Sequence, residues 1–342
     1  MKKYAFLLIC LVSIFLLSQC DKNEFLDDDS YSTIAFIARI TDNSADWSLC
    51  IMDKSGNDMR TIVEMKTTCQ KPVRSNSRTH LLFYHFPGEL YSVNIDGTGL
   101  TLIDRAENGY LGSADWSPDD RQIVYTKHFY DSEKSDLILY NVSDKTYTIL
   151  LNDGNPSCPK FSPNGKQIAY CKSTPTDRSI YKIDVSGNNN QLIINNASCP
   201  NWSPAGDKIT YLSSGEGGST QIFVVNVDGS NSKQLTSTIS PRLWPGWPPD
   251  GNEDPQWTPD GKKIVYVSHE NEKAEIFIMN SDGSKKTRLT KAKYRDGSPE
   301  VTPDGNYILF NSNMTGICMM KLDGSKQKVI FNGEGIYPTA CK

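Results

Sequence analysis

Few residues in this chain have the type and spacing to do chemistry. Trp244 and Trp247 stand in a Pro-rich stretch, residues 237–254 (STISPRLWPGWPPDGNED), with Arg242 beside them. Paired indoles offer a large rigid surface on which a sugar ring stacks or a partner protein anchors. The same two rings can instead fold back and plug a channel mouth, and both readings stay open. Histidines number four: His80, His85, His128 and His269. His128 and His269 hold one register in repeat units three apart, too far for both to reach an ion at about 2.1 Å. They are expected to be solvated loop side chains, so neither a metal site nor a catalytic residue is assigned. A Gly-x-Ser-x-Gly elbow is absent from the sequence, which speaks against serine hydrolysis.

The nine cysteines sort by position. Cys10 lies in the leader and Cys20 directly follows it. Seven remain, an odd number without a Cys-x-x-Cys pair, so neither a zinc ribbon nor a dithiol redox motif is supported. Cys50 and Cys171 fall on strand positions and are expected to be buried. Cys158 and Cys199 share a register in consecutive units, and a disulfide between them needs Cα atoms within about 7 Å.

A repeated unit positions all of these residues. In its clearest copy, residues 255–290, a strand leads into Pro259-Asp260-Gly261, a second strand covers 264–267, a third covers 275–280 and a fourth follows Asp282-Gly283. Proline presets φ for a turn and glycine supplies φ > 0. The turn prolines 118, 163, 204, 259 and 303 recur every 41 to 55 residues. Four short strands at that period form a propeller blade rather than a helical solenoid. Units are read at 72–103, 114–150, 159–193, 200–236, 255–290 and 299–330, and the segment 34–63 supplies a second, third and fourth strand without a first. Ile336-Tyr337-Pro338-Thr339-Ala340 begins another unit and stops. The expected fold is therefore all-β, a seven-bladed β-propeller closed by the C-terminal strand, which removes free sheet edges. Six blades with one degenerate unit outside the ring is the alternative count.

Residues 1–19 pair Lys2 and Lys3 with an apolar run, a secretory signal too short to span a membrane as an ordinary helix. Its end, Leu17-Ser18-Gln19-Cys20, resembles the bacterial lipoprotein signal, which implies lipidation at Cys20. Residues 20–30 are acidic and aperiodic and form the lipidated tether, and 31–342 form the propeller. An acidic stretch after the cysteine also resembles the surface-export signal of Bacteroides-group lipoproteins. The implied location is the bacterial outer membrane, on its periplasmic or outer surface. The body beyond the leader carries 34 basic and 40 acidic residues and no basic run, which argues against nucleic acid.

The motifs WSPDD (116–120), FSPNG (161–165), WSPAG (202–206), WTPDG (257–261) and VTPDG (301–305) resemble the propeller repeats of the TolB family and of the dipeptidyl peptidase noncatalytic domain. The TolB pattern is matched in part. There an α/β domain precedes a propeller that is usually six-bladed, whereas a tether precedes residue 34 here. The repeat also resembles oligogalacturonate lyase, a seven-bladed enzyme with a histidine-held metal. That resemblance implies an alternative, a metal-dependent polysaccharide lyase using His85, His128 and His269.

Strand parity places the Pro-Asp-Gly and Asp-Gly turns on one regular face and the variable links on the other, where binding is expected. Trp116, Phe161, Trp202 and Trp257 hold the repeat's own aromatic position and are expected to pack between blades. Lys71, Ser113, Cys158, Cys199, Asp254, Ser298 and Tyr337 precede the inner strands and should ring the channel mouth on the variable face. Lys71, Asp254 and Tyr337 are the candidate ligand contacts there, beside Trp244, Trp247 and Arg242. The expected function is a monomeric, lipid-anchored, non-enzymatic module without a cofactor that binds an envelope protein or a glycan.

Overall fold

The computed structural model describes residues 31–40, 47–65, 71–85, 88–132, 134–174, 177–215, 218–238, 251–270, 273–292, 295–312 and 316–341. They form seven four-stranded antiparallel sheets. Each sheet takes four successive strands, except the first, in which Gly335–Cys341 pairs with Thr33–Ala38 as the innermost strand. The register runs from Thr33 opposite Cys341 to Ala38 opposite Gly335, so the two ends of the propeller are joined by a β-ladder. The ring is a seven-bladed propeller. The expected closure by the C-terminal strand is present, and the six-bladed count is not.

The core is divided among the blade interfaces. Seven buried clusters each draw on two neighbouring blades. Between the third and fourth blades, for example, Val124, Leu137 and Leu139 meet Phe161, Ile168, Tyr170 and Ile183. A single sheet presents two apolar faces and covers neither, so each blade depends on both neighbours. Burying a large apolar side chain stabilises by about 1.5–3 kcal/mol, and almost all of that here is earned between blades.

The repeat signature has a local cause. Its Ser or Thr hydroxyl accepts the backbone N–H five residues on, as in Gln122 to Ser117 (2.9 Å), Lys263 to Thr258 (3.0 Å) and Tyr307 to Thr302 (3.0 Å). The turn then needs a left-handed residue, supplied by Gly165, Gly206, Gly261 and Gly305 at φ of 69 to 75°. Asp120 (φ 58°) and Arg78 (φ 63°) hold the same place without being glycine. Each of these glycines also faces the turn proline of the preceding blade. A Cβ at Gly261 would meet only Pro204 Cδ, at 3.8 Å. Gly261→Ala should therefore cost about 1 kcal/mol from the backbone alone, seen as a small fall in Tm without loss of fold.

Candidate functional site

The inner strands build the channel lining. Asp115, Lys160, Asn201, Gln256, Glu300 and Thr339 occupy one ring position, each opposite the same point of its second strand. Several reach to the next blade. Asp115 accepts the Phe161 N–H at 2.9 Å and pairs with Lys160 Nζ at 3.1 Å. Asn201 donates to the Pro255 carbonyl at 3.0 Å. Glu300 accepts from the Thr339 hydroxyl at 2.6 Å and from Arg74 Nε at 3.1 Å, with Lys71 Nζ at 3.5 Å. Burial pushes the Glu300 carboxyl up, but Lys71, Arg74 and the Thr339 hydroxyl outweigh it and hold the group below the usual range.

Two residues above this ring lie the positions read as the channel mouth. Cys158, Cys199, Asp254, Ser298 and Tyr337 are all left-handed, with φ of 48 to 54°, where each ladder slips by a residue. These recurrent bulges re-aim the side chain that precedes the proline. Asp254 is raised by burial, and Lys71 acts on it in the opposite sense. Lys71 thus serves both Asp254 and Glu300, while Tyr337 is half-buried against the core shared by the first two blades.

On the variable face an aromatic platform is exposed that sequence reading did not single out. Tyr110 stacks on His128, with centroids 4.5 Å apart and planes at 9°, and Tyr130 lies 6.2 Å from Tyr110. Tyr110 is 46% exposed and Tyr130 72%. The platform is fixed from below. The Ser135 hydroxyl donates to Asn155 at 2.6 Å and so accepts from His128 Nδ1–H at 2.7 Å, which leaves Nε2 to accept from Thr126 at 3.0 Å. Burial lowers the His128 pKa, keeping the ring neutral and apolar beneath Tyr110. The signal available in the sequence was Tyr130 in the middle of a variable link.

The other histidines are tied within their own blades, His85 to Glu89 (3.1 Å) and His269 to Glu253 (3.0 Å). His85, His128 and His269 are not grouped around a common point among the described residues. Trp244, Trp247, Arg242 and Cys20 lie outside the described residues. On the regular face, a cleft of about 420 Å³ opens between the fifth and sixth blades, lined by Pro204, Asp207, Trp257 and Pro259. Trp116 and Trp202 each donate their indole N–H to a carbonyl of the preceding blade, at 3.2 and 3.0 Å. The indole N–H of Trp257 has no such partner among the described residues, and the matching Asn201 carbonyl accepts from the Thr210 hydroxyl at 3.2 Å.

The TolB beta propeller domain model matches residues 87–253 and 250–340. The chain belongs to this TolB propeller family. Tol-Pal system protein TolB of Francisella tularensis subsp. mediasiatica (strain FSC147) is 33% identical over 251 residues, covering 69% of this chain and 55% of that protein. The chain therefore spans about half the length of the curated TolB relatives it matches. The structure of putative TolB from Agrobacterium tumefaciens superposes with a TM-score of 0.57 at 20% identity, covering 77% of this chain and 90% of that one. Oligogalacturonate lyase in complex with manganese superposes with a TM-score of 0.61 at 13% identity, covering 88% and 86%. At such identity the two superpositions speak for the fold alone. Membership of the TolB propeller family rests on the match of the domain model over residues 87–253 and 250–340.

Proposed function

We propose that this chain is a lipid-anchored propeller of the bacterial envelope that binds a protein or a glycan through its variable face and catalyses no reaction. The observation that carries this reading is the exposed Tyr110–His128–Tyr130 platform, whose His128 is fixed by Ser135 and Thr126 beneath Tyr110. Pre-positioned aromatic rings lose little side-chain entropy on binding, and they make affinity out of contact area. A curated relative named as a Tol-Pal system protein supports a protein partner over a glycan. Trp244, Trp247 and Arg242 would extend the same face. Lipidation at Cys20 would hold the tether at the outer membrane, on its periplasmic or outer surface, as a monomer. Lys71, Asp254 and Tyr337 would meet any ligand segment that enters the channel mouth.

The test is capture from detergent-solubilised envelope, with a glycan array in parallel, using the full-length chain. A Tyr110→Ala/Tyr130→Ala variant and a Trp244→Ala/Trp247→Ala variant should each lose at least about tenfold in affinity for the captured species, as anchor residues do. Equal capture by the parent and both variants, with unchanged melting curves, would remove the variable face from the reading.

A further inference from the structure

Three thiols meet where the fourth and fifth blades join at the channel, a contact the repeat does not require. Cys158 and Cys199 sit on the innermost strands of these blades at the same left-handed bulge, with φ of 51 and 53°. Cys171 lies on the second strand of the fourth blade, opposite Ser157. Its sulfur accepts the Cys199 N–H at 3.2 Å. Cys158 packs against the buried cluster that contains Cys171. All three are free thiols.

We propose that Cys158 and Cys199 are a redox pair that closes into a disulfide bridging the two blades, with Cys158 as the attacking sulfur and a low-molecular-weight disulfide as oxidant. Access selects this pair. Cys171 is fully buried, whereas Cys158 is half-buried and Cys199 is exposed, so an external disulfide reaches the latter two. Electrostatics selects the nucleophile. Hydrogen bonds from Cys171 and Cys199 stabilise a negative Cys158 sulfur against the opposing effect of burial, and Ser113 and the Lys160 ammonium add to them. The thiol is held well below the ordinary cysteine range, while its two donors are pushed up and stay protonated. Lys160 is itself held charged, since Asp115 outweighs the effect of its burial.

The step balances as thiol–disulfide exchange. The Cys158 thiolate attacks one sulfur of the oxidant, expels one thiolate and leaves a mixed disulfide. Cys199 gives its proton to solvent and attacks the Cys158 sulfur, and the second oxidant thiolate leaves. Two protein thiols are oxidised, and one external disulfide is reduced to two thiols. The product covalently fastens the inner strands of two neighbouring blades. It does not depend on the ligand read for the variable face.

The experiment uses the full-length chain, reduced, then exposed to oxidised glutathione and mapped by mass spectrometry after alkylation. A cross-linked peptide pair containing Cys158 and Cys199 is expected, with Cys171, Cys50, Cys318 and Cys341 left reduced. Before oxidation, Cys158 should alkylate at least about tenfold faster than Cys318 at neutral pH. Cys171→Ser should still form the link and Cys199→Ser should stop at the Cys158–glutathione adduct. The native chain decides the matter even if a variant fails to fold. A link through Cys171, or prolonged oxidation that leaves Cys158 and Cys199 both alkylatable, overturns the proposal.

Discussion

A chain ending at Glu334 should lose cooperative folding. Removing 335–342 strips Thr33–Ala38 of its inner partner and leaves a row of backbone donors and acceptors open at the channel. It also removes Ala340 and Cys341, both fully buried, and Ile336 and Tyr337, which pack against Leu81, Phe83 and Val93 of the second blade. The loss is about 5 kcal/mol or more, comparable with the whole net stability of a domain. The expected result is a broad, low melting transition and soluble aggregates on size exclusion, because an open strand edge recruits other chains. Adding a peptide of residues 333–342 should restore the sharp transition. If the truncated chain melts like the parent, the ladder between the chain ends is not what closes the ring.

Glu300→Ala should be the most costly single substitution on the channel wall. Glu300 belongs to the seventh blade, Thr339 to the strand completing the first, and Arg74 to the second, so one carboxylate links three blades. Its removal takes the shared acceptor from the Thr339 hydroxyl, Arg74 and Lys71, and leaves Lys71 with Asp254 alone. Breaking a buried pair from one side costs about 3–5 kcal/mol, and the partial exposure of both cations brings the expectation to about 3 kcal/mol. Denaturant unfolding measures it, with Glu300→Gln intermediate because the amide oxygen still accepts from Thr339. The sign with pH follows from the lowered carboxyl. The unfolded chain binds this proton first as pH falls, so the stabilisation is full above the ordinary glutamate pKa, about 4.3, and is lost as pH drops through the lower folded value. In Glu300→Ala this part of the acid sensitivity should be missing. An unchanged acid profile would count against the carboxylate as the link.

The fold was legible because its signature residues each have a backbone duty. A hydroxyl that accepts an N–H five residues on and a left-handed position after it cannot drift far, so five units are plain in the sequence. Even the decayed second unit keeps both duties, with Ser75 accepting the His80 N–H at 3.1 Å and Arg78 left-handed. The incomplete repeat at residue 336 gave away the closure for the same reason. The site was less legible. Tyr110 and Tyr130 belong to no motif, and only the pairing of Tyr110 with His128 across two strands makes them a platform. Cys158 and Cys199 share a register that the repeat makes plain, but Cys171 reaches Cys199 from the second strand of the fourth blade, which strict alternation does not anticipate. The polar ring from Asp115 to Thr339 was present in the alignment as the residue before the aromatic. Its types vary because each answers a different neighbour, so no consensus marks it.

Some of the polar contacts between blades recur with the unit. An aromatic N–H reaches back to the preceding inner strand, a ring-position side chain reaches forward to the next, and each turn glycine rests on the proline before it. A tandem duplication of some forty residues would therefore insert a blade already equipped to bind on both sides, with only the curvature of the circle to adjust. Changes in blade number along such a lineage need no new surfaces. They need a copying error in the gene and tolerance in the remaining wedge angles.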